Sequence, residues 1–280
     1  MSAPVCIGIS GGRGVIGRHI FEISPQFPGS KLHSYDGDIR DYDRVKLWAK
    51  EIQPDIVLHL AAVVSVASAQ ADKTHAREVN ELGPLTFARA ILEGLDGRPV
   101  RFLYTSTSHV YESNEAPINE GGLLRPQNFY AETKLAGESA LQGLASSESK
   151  FSLVVARVFS IYSELQPPGF LFPSLTTKIS PGAQVQQIEL PGWNNVRDFL
   201  HAKQAAALLL HLSHSPARGV VNVGSGKPRS VKAFAEDTFG VQLNVSQKDA
   251  DPAPSTLVAD TSLLTKAIGL ARFERSVISA

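Results

Sequence analysis

Short apolar runs alternate with helix-patterned segments along the first 160 residues of the chain. Val5–Ile9, Lys31–Tyr35, Ile56–Leu60, Arg101–Thr105 and Ser152–Val158 have strand length. Between them Gly14–Ile23, Asp41–Glu51, Ala76–Leu92 and Tyr130–Leu144 read as helices. Continuously apolar strands that alternate with helices predict a parallel sheet covered on both faces, an α/β fold. Beyond residue 160 the rhythm changes. Prolines and glycines cluster at Gln166-Pro167-Pro168-Gly169, Ser180-Pro181-Gly182 and Pro191-Gly192, with an apolar run at Val220–Val223 and a helix at Ser230–Phe239. Residues 161–280 therefore read as a smaller lobe interleaved with a first domain spanning 1–160, with no linker between them.

The first unit, Val5 to Asp36, runs strand, glycine turn, helix, strand. Its turn is Gly11-Gly12-Arg13-Gly14-Val15-Ile16-Gly17, spaced G-x-x-G-x-x-G. Glycines there permit a tight turn, let backbone N–H groups approach a diphosphate, and let the helix pack on the strand. Placement between strand and helix makes this a dinucleotide site and the sheet a Rossmann-type, doubly wound one. Two residues disagree about the dinucleotide. Asp36 ends the second strand, where a carboxylate would accept from ribose hydroxyls and favour NAD. Arg13 offers a guanidinium to the 2′-phosphate of NADP. The expectation leans to NADP, with Asp36 pointing to solvent.

Bulk composition removes other classes. Lys plus Arg and Asp plus Glu both total 27 in 280 residues, so there is no basic field for nucleic acid or anionic membrane. No apolar stretch approaches bilayer-spanning length, and the start lacks the pattern of a signal peptide. The single Cys6 has no disulfide partner in the chain and sits in an apolar run, which suits core packing in a reducing cytoplasm. His59 reads as a core residue; His211 and His214 have no companion ligands, so no metal site is expected.

Candidate chemistry centres on Tyr130-Ala-Glu-Thr-Lys134. Residues four apart share a helix face, so the phenol and the ammonium are neighbours. Such a pair alone also suits a surface Tyr stacked over a Lys stem. The hydroxyl cluster Thr105-Ser106-Thr107-Ser108 closes an apolar run upstream and supplies partners. An ammonium about 4 Å from a phenol at a dielectric of about 20 is worth roughly 4 kcal/mol, about three pKa units at most. The expectation is therefore that Lys134 brings Tyr130 towards neutrality.

These residues resemble the extended short-chain dehydrogenases/reductases, in the NAD-dependent epimerase/dehydratase branch that acts on nucleotide sugars. The resemblance also rests on Gly37-Asp38-Ile39-Arg40-Asp41, His59-Leu60-Ala61-Ala62, Val79-Asn80, Ser106 to Tyr111 and Arg197-Asp198-Phe199-Leu200-His201. It implies that Thr107, Tyr130 and Lys134 are catalytic. It implies cofactor contacts from Gly11, Arg13, Gly14, Val15, Ile16, Gly17, Asp36, Asp38, Ile39, Leu60, Ala61, Ala62, Asn80 and Thr105, besides Tyr130 and Lys134. Ser108, His109 and Arg197 are implied as substrate contacts, Arg197 at the diphosphate. The segment Asn128 to Glu138 looks most like the dTDP-4-dehydrorhamnose reductases, whereas the Arg197-Asp198-Phe199 segment looks more like epimerases and GDP-sugar reductases. Ser160 stands where many relatives carry a substrate-touching Asn, and the chain ends soon after Leu270, which implies abbreviated C-terminal elements. Dehydratases of the branch carry an acid where this chain has His109, a residue that can line the pocket or serve as a base. Reduction of a nucleotide-linked 4-keto-6-deoxy sugar is the leading expectation. An epimerase that retains NAD is the alternative, and a non-catalytic dinucleotide sensor is the reading from another class. Relatives also imply a homodimer through helices Ala76–Leu92 and Tyr130–Leu144; the apolar stripe Leu135, Leu141 and Leu144 agrees with this and equally suits the core.

Overall fold

The computed structural model describes residues 3–180, 182–246 and 254–269; Pro181 and whatever follows Leu270 lie outside the described residues. Strands β1 (Val5–Ser10), β2 (Ser30–Tyr35), β3 (Ile56–His59), β4 (Val100–Thr107) and β5 (Phe151–Val158) are parallel. The chain then builds β6 (Ser160–Tyr162), β7 (Val185–Glu189) and β8 (Val196–His201) before returning to the same sheet with β9 (Gly219–Val223). The spatial order is β2-β1-β3-β4-β5-β9, a doubly wound parallel sheet. Three short strands complete the rest: β10 (Pro228–Ser230), β11 (Gln242–Ser246) and β12 (Thr256–Leu257). They pair with β8 and β7 outside the central sheet.

Helices α1 (Val15–Ile23), α2 (Tyr42–Ile52), α3 (Val66–Ala71), α4 (Lys73–Arg77), α5 (Gly83–Gly94) and α6 (Phe129–Ser147) link the first strands. In the remainder, α7 (Leu171–Lys178), α8 (Ala202–His214), α9 (Val231–Phe239) and α10 (Ser262–Ile268) follow. Alternation along the strands sorts the core into two layers. Ile7, Ile9, Leu58, Leu103, Val154 and Ala156 face α1 and α8, while Val57, Phe102, Tyr104 and Val155 face α2, α5 and α6. The segment beyond residue 160 thus supplies both an edge strand and a covering helix to the central sheet.

The helix expected over Ala76–Leu92 is broken, and for a covalent reason. Pro84 has no N–H to give the Asn80 carbonyl one turn earlier. The backbone widens into a π-turn over Glu78–Leu82, where the Gly83 N–H reaches Glu78 O instead. The freed Asn80 carbonyl accepts from Tyr104 Oη at 3.3 Å. The π-turn also turns the Asn80 side chain fully inward. Its Oδ1 accepts from Val63 N (2.8 Å), and its Nδ2 donates to Val63 O (3.0 Å) and Thr133 Oγ1 (3.1 Å). Asn80 therefore ties the end of β3 to α6. Helix α6 comes close enough that a Cβ on Gly137 would lie 2.5 Å from Asn80 O.

Asn128 caps α6 by accepting from Ala131 N at 3.0 Å. Leu141 is fully buried in the chain's own core, with Leu144 packed beside it and Leu135 against a neighbouring cluster. Of the stripe, Leu141 is thus core, while Leu135 and Leu144 stay half-buried. Deeper still, Glu138 of α6 holds Arg157 of β5 in a buried fork, with Glu138 Oε2 2.6 Å from Arg157 Nη2. The guanidinium lies over the Tyr111 ring, 4.7 Å from its centroid. Removing one partner of such a pair strands the other charge. Glu138→Gln is expected to lower unfolding free energy by about 3–5 kcal/mol, read from urea midpoints. Adding Arg157→Met should recover much of that, and a single-variant loss below about 1 kcal/mol would show that the pair is not the anchor of α6.

Candidate active site

At the carboxyl ends of the strands, where β2 and β3 diverge on either side of β1, the chain encloses a cavity of about 1020 Å³. Open parallel sheets bind ligands at this switch point. The glycine turn forms one wall. Gly11 has φ +75°, and a Cβ there would lie 2.6 Å from Ala61 N. A Cβ on Gly17 would meet Gly11 O at 2.5 Å, so α1 could not sit this close to the turn with any larger residue. Gly14 caps α1 without a side-chain hydrogen bond, and the first turn contains no acid. The helix therefore presents its unpaired N–H groups and positive dipole end.

Arg13, Arg18 and Arg40 line the same end. Arg40 grips the Asp38 carboxylate through Nε and Nη2, at 3.0 and 2.6 Å, and this holds Asp38 below the usual carboxylate range. The cradle of main-chain donors fits the diphosphate of a dinucleotide. The Ser106 hydroxyl is buried at the wall and has no hydrogen-bond partner among the described residues. A bound nicotinamide cofactor would bring hydride chemistry to this cavity.

Midway along, β4 ends in Thr105-Ser106-Thr107 and α6 begins with Tyr130 and Lys134, all on the wall. Thr105 Oγ1 donates to His59 O at 2.9 Å, clipping β4 to β3. Thr107 Oγ1 accepts from His109 N at 3.2 Å, and the Thr107 side chain hydrogen-bonds Tyr130. Lys134 is only 2% exposed, with Nζ 4.0 Å from the centroid of the Tyr104 ring. Burial pushes the Tyr130 phenol up to about 12, opposed by the Thr107 hydrogen bond. Burial pulls the Lys134 ammonium down to about 7, opposed by the Glu138 charge. This corrects the expectation from spacing. Desolvation is the larger influence on Tyr130, and it acts in the direction opposite to the one expected from the Lys134 spacing.

The far end is lined by Ser160, Phe170, Asn195, Arg197 and Phe199. Arg197 reaches it braced by Ser255 O at 2.6 Å and Ser255 Oγ at 2.8 Å. Asp198 turns the other way, fully buried, and accepts from Ser225 N, Ser225 Oγ, Gly226 N and Ala259 N. His109 is held near 4 by burial first and the Arg197 charge second, so it is neutral at working pH.

Most expected site residues converge: Gly11, Arg13, Gly14 to Gly17, Asp38, Ile39, Leu60 to Ala62, Thr105, Thr107, His109, Tyr130, Lys134 and Arg197 all line the cavity. Three do not. Asp36 leaves the wall to accept from Ser34 Oγ at 2.8 Å and pair with Arg13 at 3.8 Å. Asn80 spends its amide on the clamp between β3 and α6, and Ser108 is buried behind the wall. Arg18, Arg40, Ser106 and Asn195 are wall residues that the motifs did not single out. Arg18 lies four residues after Gly14, a spacing that already placed it one helical turn beyond the glycine turn.

Residues 7–224 match the NAD dependent epimerase/dehydratase family. The chain belongs to that family. It is 32% identical over 262 residues to GDP-6-deoxy-D-mannose reductase of Pseudomonas aeruginosa, covering 88% of this chain and 83% of that protein. It is 29% identical to UDP-glucose 4-epimerase of Streptomyces lividans, over 84% of this chain and 76% of the relative. Among solved structures, RMD from Pseudomonas aeruginosa complexed with NADPH superposes with a TM-score of 0.80 at 25% identity, covering 95% of this chain and 92% of that one. As a member of this family the chain is an NAD(P)-dependent enzyme.

Proposed function

We propose that this enzyme uses NADPH to reduce the keto group of a nucleotide-linked 4-keto-6-deoxy sugar. The observation that carries the reading is the similarity to GDP-6-deoxy-D-mannose reductase along nearly the whole chain. The proton inventory of the cavity agrees with it. Reduction of a carbonyl needs a proton donor at the start, and a phenol raised to about 12 holds its proton at neutral pH. In this reading Tyr130 gives that proton to the carbonyl oxygen and Thr107 aligns the oxygen by hydrogen bonding. Lys134, as ammonium, steadies the phenolate left behind and holds ribose hydroxyls. Gly11 and Gly14 to Gly17 would receive the diphosphate on main-chain N–H groups, with Leu60 to Ala62 and Thr105 beneath it. Asp38 and Ile39 would flank the adenine, and Arg197 would meet the sugar nucleotide's diphosphate.

NADP is favoured because Arg13 stands at the cavity edge while Asp36 is turned off the wall. A second reading, epimerisation, draws on the Streptomyces lividans relative. It needs the sugar oxidised first, hence a deprotonated Tyr130. We also place the enzyme in the cytoplasm, in keeping with the free Cys6, and as a homodimer through α5 and α6. With Leu141 in the core, the support is Leu82, 58% exposed beside α5, the half-buried Leu135 and Leu144, and the small residues Ala136, Ala140 and Gly143 on α6.

Given NADPH and a nucleotide-linked 4-keto-6-deoxy sugar, the enzyme should yield a product heavier by two hydrogens. Tyr130→Phe should lower turnover by about 10² to 10⁴. An unchanged mass with inverted stereochemistry would assign an epimerase, and loss of water a dehydratase. Arg13→Ala should weaken NADPH binding about tenfold, as for one exposed charge-assisted contact, and leave NADH almost unaffected; equal losses would remove Arg13 from the 2′-phosphate. In sedimentation at micromolar concentration the dimer should appear at twice 30.1 kDa, and a lone 30.1 kDa species would refute it.

A further inference from the structure

His109 lines the cavity together with Thr107, Tyr130 and Arg197, and the loop around it is clamped from both sides. Its N–H donates to Thr107 Oγ1, and its carbonyl accepts from Gln127 N at 3.1 Å. The ring itself meets one protein partner of known polarity. Asn128 Oδ1 is committed to the cap of α6, where it accepts from the Ala131 backbone N–H. A main-chain N–H can only donate, so the oxygen of Asn128 must be the atom on that side. The other end of the amide, Nδ2, then faces His109 Nδ1 at 3.2 Å. An amide nitrogen donates and does not accept. Nδ1 must therefore carry a lone pair, and in a neutral imidazole the proton is on Nε2.

We infer that Asn128 fixes His109 in the Nε2–H tautomer, so that His109 offers the sugar a hydrogen-bond donor and selects substrates with an oxygen substituent at that place in the cavity. Burial and the neighbouring Arg197 charge keep the ring neutral, so the donor persists at working pH. With its only lone pair turned to Asn128, the ring has none left to remove a proton from the substrate. His109 is thus a specificity residue and not a base. The nature of the acceptor, a nucleotide-linked sugar, rests on the reading of the preceding subsection.

Nitrogen-15 histidine spectra of the free enzyme, with His109 assigned by its loss in His109→Gln, test the tautomer. The expected spectrum shows Nε2 protonated and Nδ1 bare. In Asn128→Asp the capping oxygen remains but an acceptor replaces the donor, and the proton should move to Nδ1. Kinetics are then read on whichever nucleotide sugar the enzyme converts. His109→Leu should lose about 10- to 100-fold in kcat/KM, His109→Gln, whose amide can still donate, less than about fivefold, and Asn128→Asp should fall with the Leu variant. Nδ1 protonation in the wild-type enzyme, or a Gln variant no better than Leu, would overturn the inference. The spectra need no substrate, so a failure of the reductase reading shows separately, in the product mass.

Discussion

A lysine ammonium held out of water constrains the site more than any other group. Lys134 is at the cavity floor, 2% exposed, and an isolated charge in such a place is strongly disfavoured. The fold compensates without giving Lys134 a direct carboxylate partner. The face of Tyr104 lies against it, and the charge of Glu138, one helical turn on, supports it from behind. Glu138 is itself buried and must be neutralised by Arg157, which in turn rests on the Tyr111 ring. The result is an ammonium that burial pulls down to about 7 and the Glu138 charge holds from falling further. A chain of charge and ring contacts thus runs from the cavity floor to β5 and the loop after β4. It explains why α6 must be fixed so firmly, by the Asn128 cap at its start and by Asn80 and Tyr104 where Gly137 lets it come close.

The two ends of the cavity recognise ligands by different means. The glycine-turn end is main chain, and its selectivity comes from what cannot be there: a Cβ on Gly11 or Gly17 would collide with backbone. Such a cradle suits the diphosphate shared by all dinucleotides and says little about the rest. At its edge Arg13 pairs with Asp36 at 3.8 Å. The far end is side chain, with Ser160, Asn195, Arg197 and His109 around apolar Phe170 and Phe199. Burial favours the protonated form of Tyr130, and Asn128 faces Nδ1 of His109.

Much of this was legible in the chain itself. The glycine turn, the continuous apolar strands and the Tyr130–Lys134 spacing are local, and local periodicity carries them: β1 to β5 and α1, α2 and α6 match their expected spans within a few residues. The broken helix was encoded too, since Pro84 lacks an N–H, but a helical hydrophobic pattern hides a short π-turn such as Glu78–Leu82. Tertiary structure alone decided the direction of the Tyr130 shift. Spacing reports that an ammonium is near, whereas the balance depends on how much water the finished cavity excludes, and burial wins. It also decided that Asp36, Asn80 and Ser108 stand off the wall: Asp36 turns to Ser34 and Arg13, the π-turn directs Asn80 to Val63 and Thr133, and Ser108 is buried in the turn after β4. The tautomer of His109 depends on Asn128, nineteen residues away, brought to its ring by the start of α6. Sequence determined which groups exist and which neighbours share a helix face. Only the packed chain could determine which atoms meet, how dry they are and therefore where their protons reside.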